Sequence, residues 1–488
     1  MQRCVSISQM QAFDKATIEK VGSTNLMLKA AKAVFDEIKN LANKNIYIIS
    51  GGGNNGGDGI ALFMLLNEAG YTPKLFLTSS RLSLDSQYFY DKVKNNKNIF
   101  DINSCDYKAD VIVDCILGTG FQGDVKDSIK DVIEKINNSK AYVVSVDIPS
   151  GLNGNNGIAK CSVKANKTVT IQFAKYGLFL NDGKDYVGEL VVKDIGIEAI
   201  EKCVQIIEEK DIIFNRRLNN VNKSTFGKST IIGGCINFPG AIKIANMGVL
   251  ALRVGAGLNA IAVPYTLKDA MITSVVESTI TYLKDNNGYL VFDKEGLDKI
   301  IATSNAIAVG MGMGPNKDEN KKIIKYLIEN FTGPIIIDAD GLNAFEGDIK
   351  YLFDKSNVIV TPHPKEFERI SGMSIRQILD DPISAVKSVV VKNGATILLK
   401  GTSTIIAKDD DMYLVVNGTP ALAKGGSGDT LSGVILGLLA QGRDNIDAAY
   451  TGAYLCAKAA TDLEKDYSAY GVLASDVARL IKNFILNA

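Results

Sequence analysis

Short apolar runs rich in Ile and Val recur along the chain and alternate with longer stretches of helical periodicity. NIYIIS (45–50) precedes GIALFMLLNEAG (59–70), and PKLFLT (73–78), VIVDCI (111–116), AYVVSVDI (141–148) and KTVTIQF (167–173) continue the series. Strands buried on both faces read as such uninterrupted runs, and parallel neighbours need a crossover helix between them. The rhythm therefore predicts a parallel, doubly wound sheet. A second series begins near residue 226: STIIGG (229–234), NAIAVP (259–264), AIAVGMG (306–312), PIIIDA (334–339), VIVTPH (358–363) and ATILLKG (395–401).

Between the two series lies IEEKDIIFNRRLNNVNKSTFG (207–227), charged, Asn-rich and without periodicity. A boundary is expected near residues 210–220, giving domains 1–212 and 217–488. A chain of 488 residues, 46% hydrophobic and 22% charged, can bury two such cores. Lys plus Arg and Asp plus Glu are both 54, which removes the electrostatic case for nucleic acid as a partner. No run approaches about 18 uninterrupted apolar residues, and MQRCVSISQMQAFDKATIEK has no signal-like core, so no membrane span is expected. Seven scattered cysteines without a C-x-x-C pair fit a reducing cytoplasm rather than a disulfide framework or structural zinc. His363 is the only histidine, which excludes a multi-histidine metal site.

Candidate chemistry in the first half begins at GGGNNGGDGI (51–60), where Gly51, Gly53 and Gly56 satisfy G-x-G-x-x-G. Glycines at a strand-to-helix turn let the backbone approach an anion, and the helix N-terminus adds unpaired N–H groups and a positive dipole end. The pattern also suits a glycine-rich turn with Asp58 as a cap. A redox dinucleotide site should show an acidic ribose reader about 20 residues later, at the next strand end. That end reads TSSR (78–81), with no carboxylate. Two further strand-end loops carry Asp114 with Gly118, Thr119, Gly120 and Gly123, and Asp147 with Pro149, Ser150 and Gly151. In open α/β sheets ligands bind beyond the carboxyl ends of strands, so loops bearing Asp58, Asp114 and Asp147 should converge there. Carboxylates beside an anionic ligand imply a bound cation, a general acid/base, or both. Asn55, Asp114 and Ser150 offer only oxygens, the ligands of a hard cation such as K⁺ or Mg²⁺.

GGGNNGGDG, VDCILGTGFQG and VDIPSGLNG, in this order and spacing, resemble the epimerase domain of the NAD(P)H-hydrate repair enzymes, the YjeF N-terminal family, over about residues 1–210. The resemblance implies a Rossmann-like doubly wound domain. It implies that Asn54, Asn55, Gly56, Gly57 and Asp58, and Gly118, Thr119, Gly120, Phe121, Gln122, Gly123 and Asp124, contact the hydrated dinucleotide. It further implies K⁺ on Asn55, Asp114 and Ser150, and Asp147 as the acid/base that interconverts epimers at C6 of the hydrated nicotinamide.

In the second half, LAKGGSGDTLSGVILGLLAQG places Asp429 at the start of a helix, behind the loop Gly425, Gly426, Ser427 and Gly428. Loop amides and the helix dipole can hold charge on phosphate oxygens, and an aspartate there can take a proton from an attacking hydroxyl. It can equally be an N-cap. The motif resembles the ribokinase-like superfamily, whose fold is a mainly parallel α/β sheet. With FGKSTIIGGCINFPGAIKIAN, AVGMGMGPN, IIIDADGLNAF and VTPHPKEFERI it is similar to the ADP- or ATP-dependent NAD(P)H-hydrate dehydratases, over about residues 217–488. By that resemblance Ala241, Gly312, His363 and Asp429 line the hydrate site, with Asp429 the base. Lys400, Gly401, Thr402, Ser403, Thr404 and Gly428 bind the nucleotide, and Mg²⁺ neutralises its phosphates. Cys235, Met311, Lys365 and Ser427 depart from the family pattern. Lys365 replaces a glycine, which raises the question of a positive φ there.

The expectation is a bifunctional metabolite-repair enzyme in a homo-oligomer. It epimerises hydrated NADH and NADPH and dehydrates the S form with ADP or ATP. The rivals are a ribokinase-like small-molecule kinase and a dinucleotide-binding scaffold.

Overall fold

The computed structural model describes residues 1–41, 44–121, 123–214, 216–247 and 253–484. It divides into two compact α/β units, Gln2–Val204 and Gln205–Ala488, Met1 grouping with the second.

The first unit is built on β2 (Ile46–Ser50), β3 (Lys74–Leu77), β4 (Ile99–Asp101), β5 (Val111–Cys115), β6 (Tyr142–Val146), β7 (Lys167–Ile171) and β9 (Glu189–Lys193), in the order β4-β3-β2-β5-β6-β7-β9. Every pairing is parallel. β1 (Gln2–Val5) pairs in parallel with β8 (Ala174–Lys175). Alternate residues of each strand serve opposite faces. Ile46 and Ile48 join a core with the helices Ser23–Ile38 and Asn54–Glu68, while Tyr47 and Ile49 join a second core with the helix Asp127–Asn137. Burial on both sides explains the uninterrupted apolar runs. The chain leaves β2 toward β3 and β4, then returns to place β5 on the other flank of β2. This reversal opens a crevice between the ends of β2 and β5, from which GGGNNGG and ILGTG emerge.

The second unit orders β13 (Thr279–Leu283), β12 (Leu258–Pro264), β11 (Lys228–Ile232), β16 (Ala306–Val309), β17 (Ile335–Ile337), β18 (Val358–Val360), β19 (Thr396–Leu399), β20 (Thr404–Lys408), β21 (Asp411–Val415) and β10 (Val204–Ile206). β14 (Asp285–Asn286) and β15 (Tyr289–Leu290) form a separate antiparallel pair. Pairings from β13 to β19 are parallel, and β19–β20 and β20–β21 are antiparallel. The helix Ser427–Ala440 packs Leu431, Val434, Ile435 and Leu438 into the core that holds Ile231, Ala308 and Ile336. The order reverses again between β11 and β16.

The second unit starts earlier than residue 217. Gln205 and Ile206 of β10 pair with Tyr413 and Leu414 of β21, so the sheet is joined before the charged stretch. A strand of three residues is too short to announce itself by periodicity.

Candidate active sites

In the first unit a cleft of about 970 Å³ opens at the β2–β5 switch point. It is lined by Asn54, Asn55 and Asp58, by Gly118, Thr119, Gly120 and Phe121, and by Asp147. The glycine loop turns into the helix Asn54–Glu68, with Gly53 at the N-cap, so Asp58 lies inside the first turns and is no cap. Gly118 is pressed against Asn55: a Cβ on it would come within 2.8 Å of the Asn55 Cβ. Gly56 and Gly57 are buried behind the cleft wall, and Asn54 accepts from Ser83 Oγ at 2.8 Å. Gly123 and Asp124 are exposed outside the cleft lining, and Asp124 pairs with Lys160 at 2.7 Å. Gln122 lies outside the described residues.

Asp147 follows β6 with φ 67°, a left-handed conformation uncommon for a residue with a side chain. The geometry aims its carboxyl at Lys175, which follows β7 and is 1% exposed. Lys175 Nζ pairs with Asp147 Oδ1 and also donates to Ile171 O at 2.9 Å and Thr170 Oγ1 at 3.1 Å. Asp147 Oδ1 further accepts from Ile171 N at 3.1 Å. Among the described residues nothing donates to Asp147 Oδ2, which leaves that oxygen for a ligand. Burial, then the Asp147 charge, pushes Asp14 up to about 6, with Lys175 opposing. Burial and the charges of Asp147 and Asp14 raise Asp58 well above the carboxylate range.

Asp114 departs from the sequence expectation of three carboxylates meeting at the ligand. It is fully buried and absent from the cleft lining. Its two oxygens accept from Ser145 Oγ at 2.8 Å, Ser150 N at 2.9 Å, Ser150 Oγ at 2.5 Å and Ile116 N at 3.2 Å. The carboxylate therefore ties the β5 and β6 loops together from below. Burial still raises its pKa against those hydrogen bonds. Just above it, Asn55 Nδ2 donates to Leu117 O at 3.0 Å, while Asn55 Oδ1 is buried without a partner. Ser150 Oγ lies 3.2 Å from the same Leu117 O. Unpartnered buried oxygens are rare, and this one beside a carbonyl, a hydroxyl and a carboxylate fits a hard monovalent cation.

In the second unit, parallel register brings the ends of β17, β18 and β19 side by side, and with them Asp338, His363 and Lys400. Lys400 Nζ stands 3.2 Å from Asp338 Oδ1 and 3.8 Å from Glu366 Oε2. Asp338 also accepts from Ser432 Oγ at 2.8 Å, a residue on the helix Ser427–Ala440. Burial raises Asp338, but Lys400 and Ser432 more than reverse it, so its pKa lies below the ordinary value. Burial depresses Lys400, and Asp338 with Glu366 outweighs that, leaving it raised. Gly428 stands over this pair: a Cβ there would lie 3.3 Å from Lys400 Nζ. Asp429, one residue on, is pushed up to about 7, first by burial and then by the Asp338 charge.

His363 caps the helix Pro364–Ser371. Its Nδ1 accepts from Lys365 N at 3.1 Å and Glu366 N at 3.2 Å, while Glu366 Oε2 accepts from His363 N at 2.8 Å. Nδ1 as acceptor places the proton of the neutral ring on Nε2, which stands 3.5 Å from Glu366 Oε1. Burial and the Lys400 charge hold its pKa below the usual value. Lys365 occupies this helix, so the missing glycine left no positive φ to accommodate. Gly312, with φ 65°, abuts Ala241, whose Cβ would lie 2.8 Å from an added Cβ. Gly401 and Thr402 are exposed at the β19–β20 turn, Ser403 is buried, and Thr404 begins β20 opposite Val415.

Residues 229–483 match the NAD(P)H-hydrate dehydratase family, and residues 23–177 match the YjeF-related protein N-terminus. A bifunctional NAD(P)H-hydrate repair enzyme of Coxiella burnetii is 30% identical over 96% of each chain. The chain belongs to this family. A bifunctional NAD(P)H-hydrate repair enzyme of Dictyoglomus turgidum is 31% identical over 93% of this chain and 92% of its own. A ribokinase-like superfamily protein of Enterococcus faecalis, 24% identical, superposes with a TM-score of 0.51 over 58% of this chain and 96% of its own, which establishes a ribokinase-like fold for the second unit. The two family matches fall one in each unit. Lys175 and Asp14 line the first-unit cleft, and Asp338, Glu366 and Ser432 gather around Lys400, although the sequence alone assigned them no role. Asp338 and Glu366 lie inside quoted motifs, IIIDADGLNAF and TPHPKE, whereas Lys175 and Asp14 carry no local signature.

Proposed function

We propose that the chain is a bifunctional NAD(P)H-hydrate repair enzyme. The first unit interconverts the R and S forms of NADH or NADPH hydrated across C5–C6. The second removes the water from the S form at the expense of ADP or ATP, giving AMP or ADP and phosphate. The observation that carries the reading is the pair of separately built acid–base sites, each in a unit matched by one half of the family.

In the second unit Asp429 takes the proton of the C6 hydroxyl as that oxygen attacks the terminal phosphorus of the nucleotide. A carboxyl near 7 is poised for this at neutral pH. The amides at the start of the helix Ser427–Ala440 and the Lys400 ammonium face the phosphate oxygens. Hydroxide is a poor leaving group; the phosphate ester then eliminates and restores the reduced ring. Mg²⁺ would neutralise phosphate charge, with the half-buried carboxylate of Asp340 as an available oxygen. In the first unit Asp147 Oδ2 reaches the C6 substituent. K⁺ would be held by Asn55 Oδ1, Ser150 Oγ and the Asp114 charge beneath them, and would offset the carboxylates beside an anionic dinucleotide.

Incubating hydrated NADH with the full chain and ADP or ATP tests the reading. Return of reduced-nicotinamide absorbance from both epimers is expected. No return with either nucleotide overturns it, and a stable phosphorylated product with no return favours a small-molecule kinase instead.

A further inference from the structure

The first cleft holds more titratable chemistry than Asp147 uses. Asp14 reaches it from the helix Ile7–Val21 and Asp58 from the helix Asn54–Glu68, and both line it with Asp147 and Lys175. These groups are not equivalent. Asp147 is salt-bridged to a fully buried ammonium whose remaining donors are taken by Thr170 and Ile171. Among the described residues no hydrogen bond or ion pair reaches the Asp14 carboxyl, and it is half-buried. Pairs of carboxyls whose environments push them apart divide into an acid and a base.

The reaction asks for such a pair. This step rests on the reading of the first unit as an epimerase. Inverting C6 by exchange of its hydroxyl requires one group to deliver a proton to the departing oxygen and another to receive a proton from the arriving one. We propose that Asp14 is the second acid–base group of the epimerisation, acting as acid against Asp147 as base in one direction, with the roles exchanged in the other. The Asp14 carboxyl protonates the C6 hydroxyl. The C6–O bond breaks, water departs with the bonding pair, and the N1 lone pair forms N1=C6. A solvent water attacks C6 from the opposite face, the N1=C6 pair returns to N1, and the proton released by that water passes to Asp147. The ring keeps its composition, one proton has moved from Asp14 to Asp147, and exchange with solvent resets the pair. An acid near 6 can surrender and regain its proton at each turnover.

The test uses the full chain, purified R hydrate, and subtraction of the spontaneous rate. For the wild type, kcat/KM for epimerisation falls as pH rises above about 6. The groups facing Asp14 are Asp147 and Lys175, with Asp58, Lys15, Glu19 and Asp85 elsewhere on the cleft wall. Asp14→Asn loses about 100-fold or more of kcat and still binds NADP⁺, used as an unreactive probe. Asp14→Glu retains part of the activity with the alkaline limb displaced. In heavy-oxygen water each wild-type inversion places solvent oxygen at C6. The proposal is overturned if Asp14→Asn stays within about threefold of wild type across the pH range, or if inversion outpaces oxygen exchange. Should Asp14→Asn lose NADP⁺ binding, Asp14→Glu decides: an unmoved limb overturns the proposal. A wild-type chain that epimerises no faster than solvent defeats the epimerase reading itself, a result separate from any Asp14 variant.

Discussion

Lys400 Nζ stands 3.2 Å from Asp338 Oδ1, and the aspartate is 2% exposed. Neither residue is dispensable to the other. Removing the lysine leaves a buried carboxylate facing Glu366 and Asp429 with no cation, so Lys400→Met should cost about 3–5 kcal/mol. Denaturant unfolding followed by a probe in the second unit measures this. Dehydration falls in the same variant, and epimerisation of the R hydrate stays at the wild-type rate.

The raised Asp429 carboxyl makes dehydration pH-dependent. Its base form disappears as pH falls through about 7, so kcat/KM for the S hydrate declines on that acid limb. The stability sign is opposite. A folded-state carboxyl raised above its unfolded value binds its proton more tightly when folded, so its contribution is lost as pH rises. Asp429→Asn should therefore raise the denaturation midpoint at about pH 8 and leave it little changed below about pH 4. The same variant loses about 100-fold or more of dehydration.

Asp147→Asn abolishes epimerisation and leaves dehydration of purified S hydrate intact, since Asp147 lies in the first unit alone. Lys175→Met should lower the epimerisation kcat by about 10–100-fold and destabilise the first unit. If either variant removed both activities together, the assignment of one reaction to each unit would fail.

Potassium should stabilise the first unit through the unpartnered Asn55 Oδ1. At about 100 times its Kd a cation that binds only the folded state adds about 2.7 kcal/mol. Thermal unfolding in K⁺ against a bulky organic cation reads the difference, and Asn55→Leu should erase it.

His363 has two separable duties. His363→Ala removes both the cap and Nε2, with about 1 kcal/mol lost from stability. His363→Asn keeps a capping oxygen and loses Nε2, with its approach to Glu366 Oε1 and to the hydrate. Stability of the asparagine variant near wild type, together with a raised KM for the hydrate, is the expected result.

Much of the architecture was legible because parallel strands buried on both faces write themselves as apolar runs: Ile46–Ser50 and Ile335–Ile337 are examples. Asp147 and Asp429 were legible because each follows a glycine-marked strand end or helix start. Asp114 was legible as important but misplaced, since one sequence cannot distinguish a carboxylate at a ligand from one that ties loops together beneath it. Lys175 and Asp14 were not legible. Lys175 follows β7 and Asp14 lies on a helix, so only the tertiary arrangement brings them to the Asp147 carboxyl. The β10 boundary was hidden because its pairing partner is more than two hundred residues away in sequence.

That β10 pairing bears on how the molecule can be dissected. Gln205 and Ile206 cover the hydrogen-bonding edge of β21. A dehydratase fragment begun at residue 217 would present that edge bare, an open template for strand addition by other copies. Fragments begun before β10 keep the β21 edge covered and should aggregate less than fragments begun at residue 217.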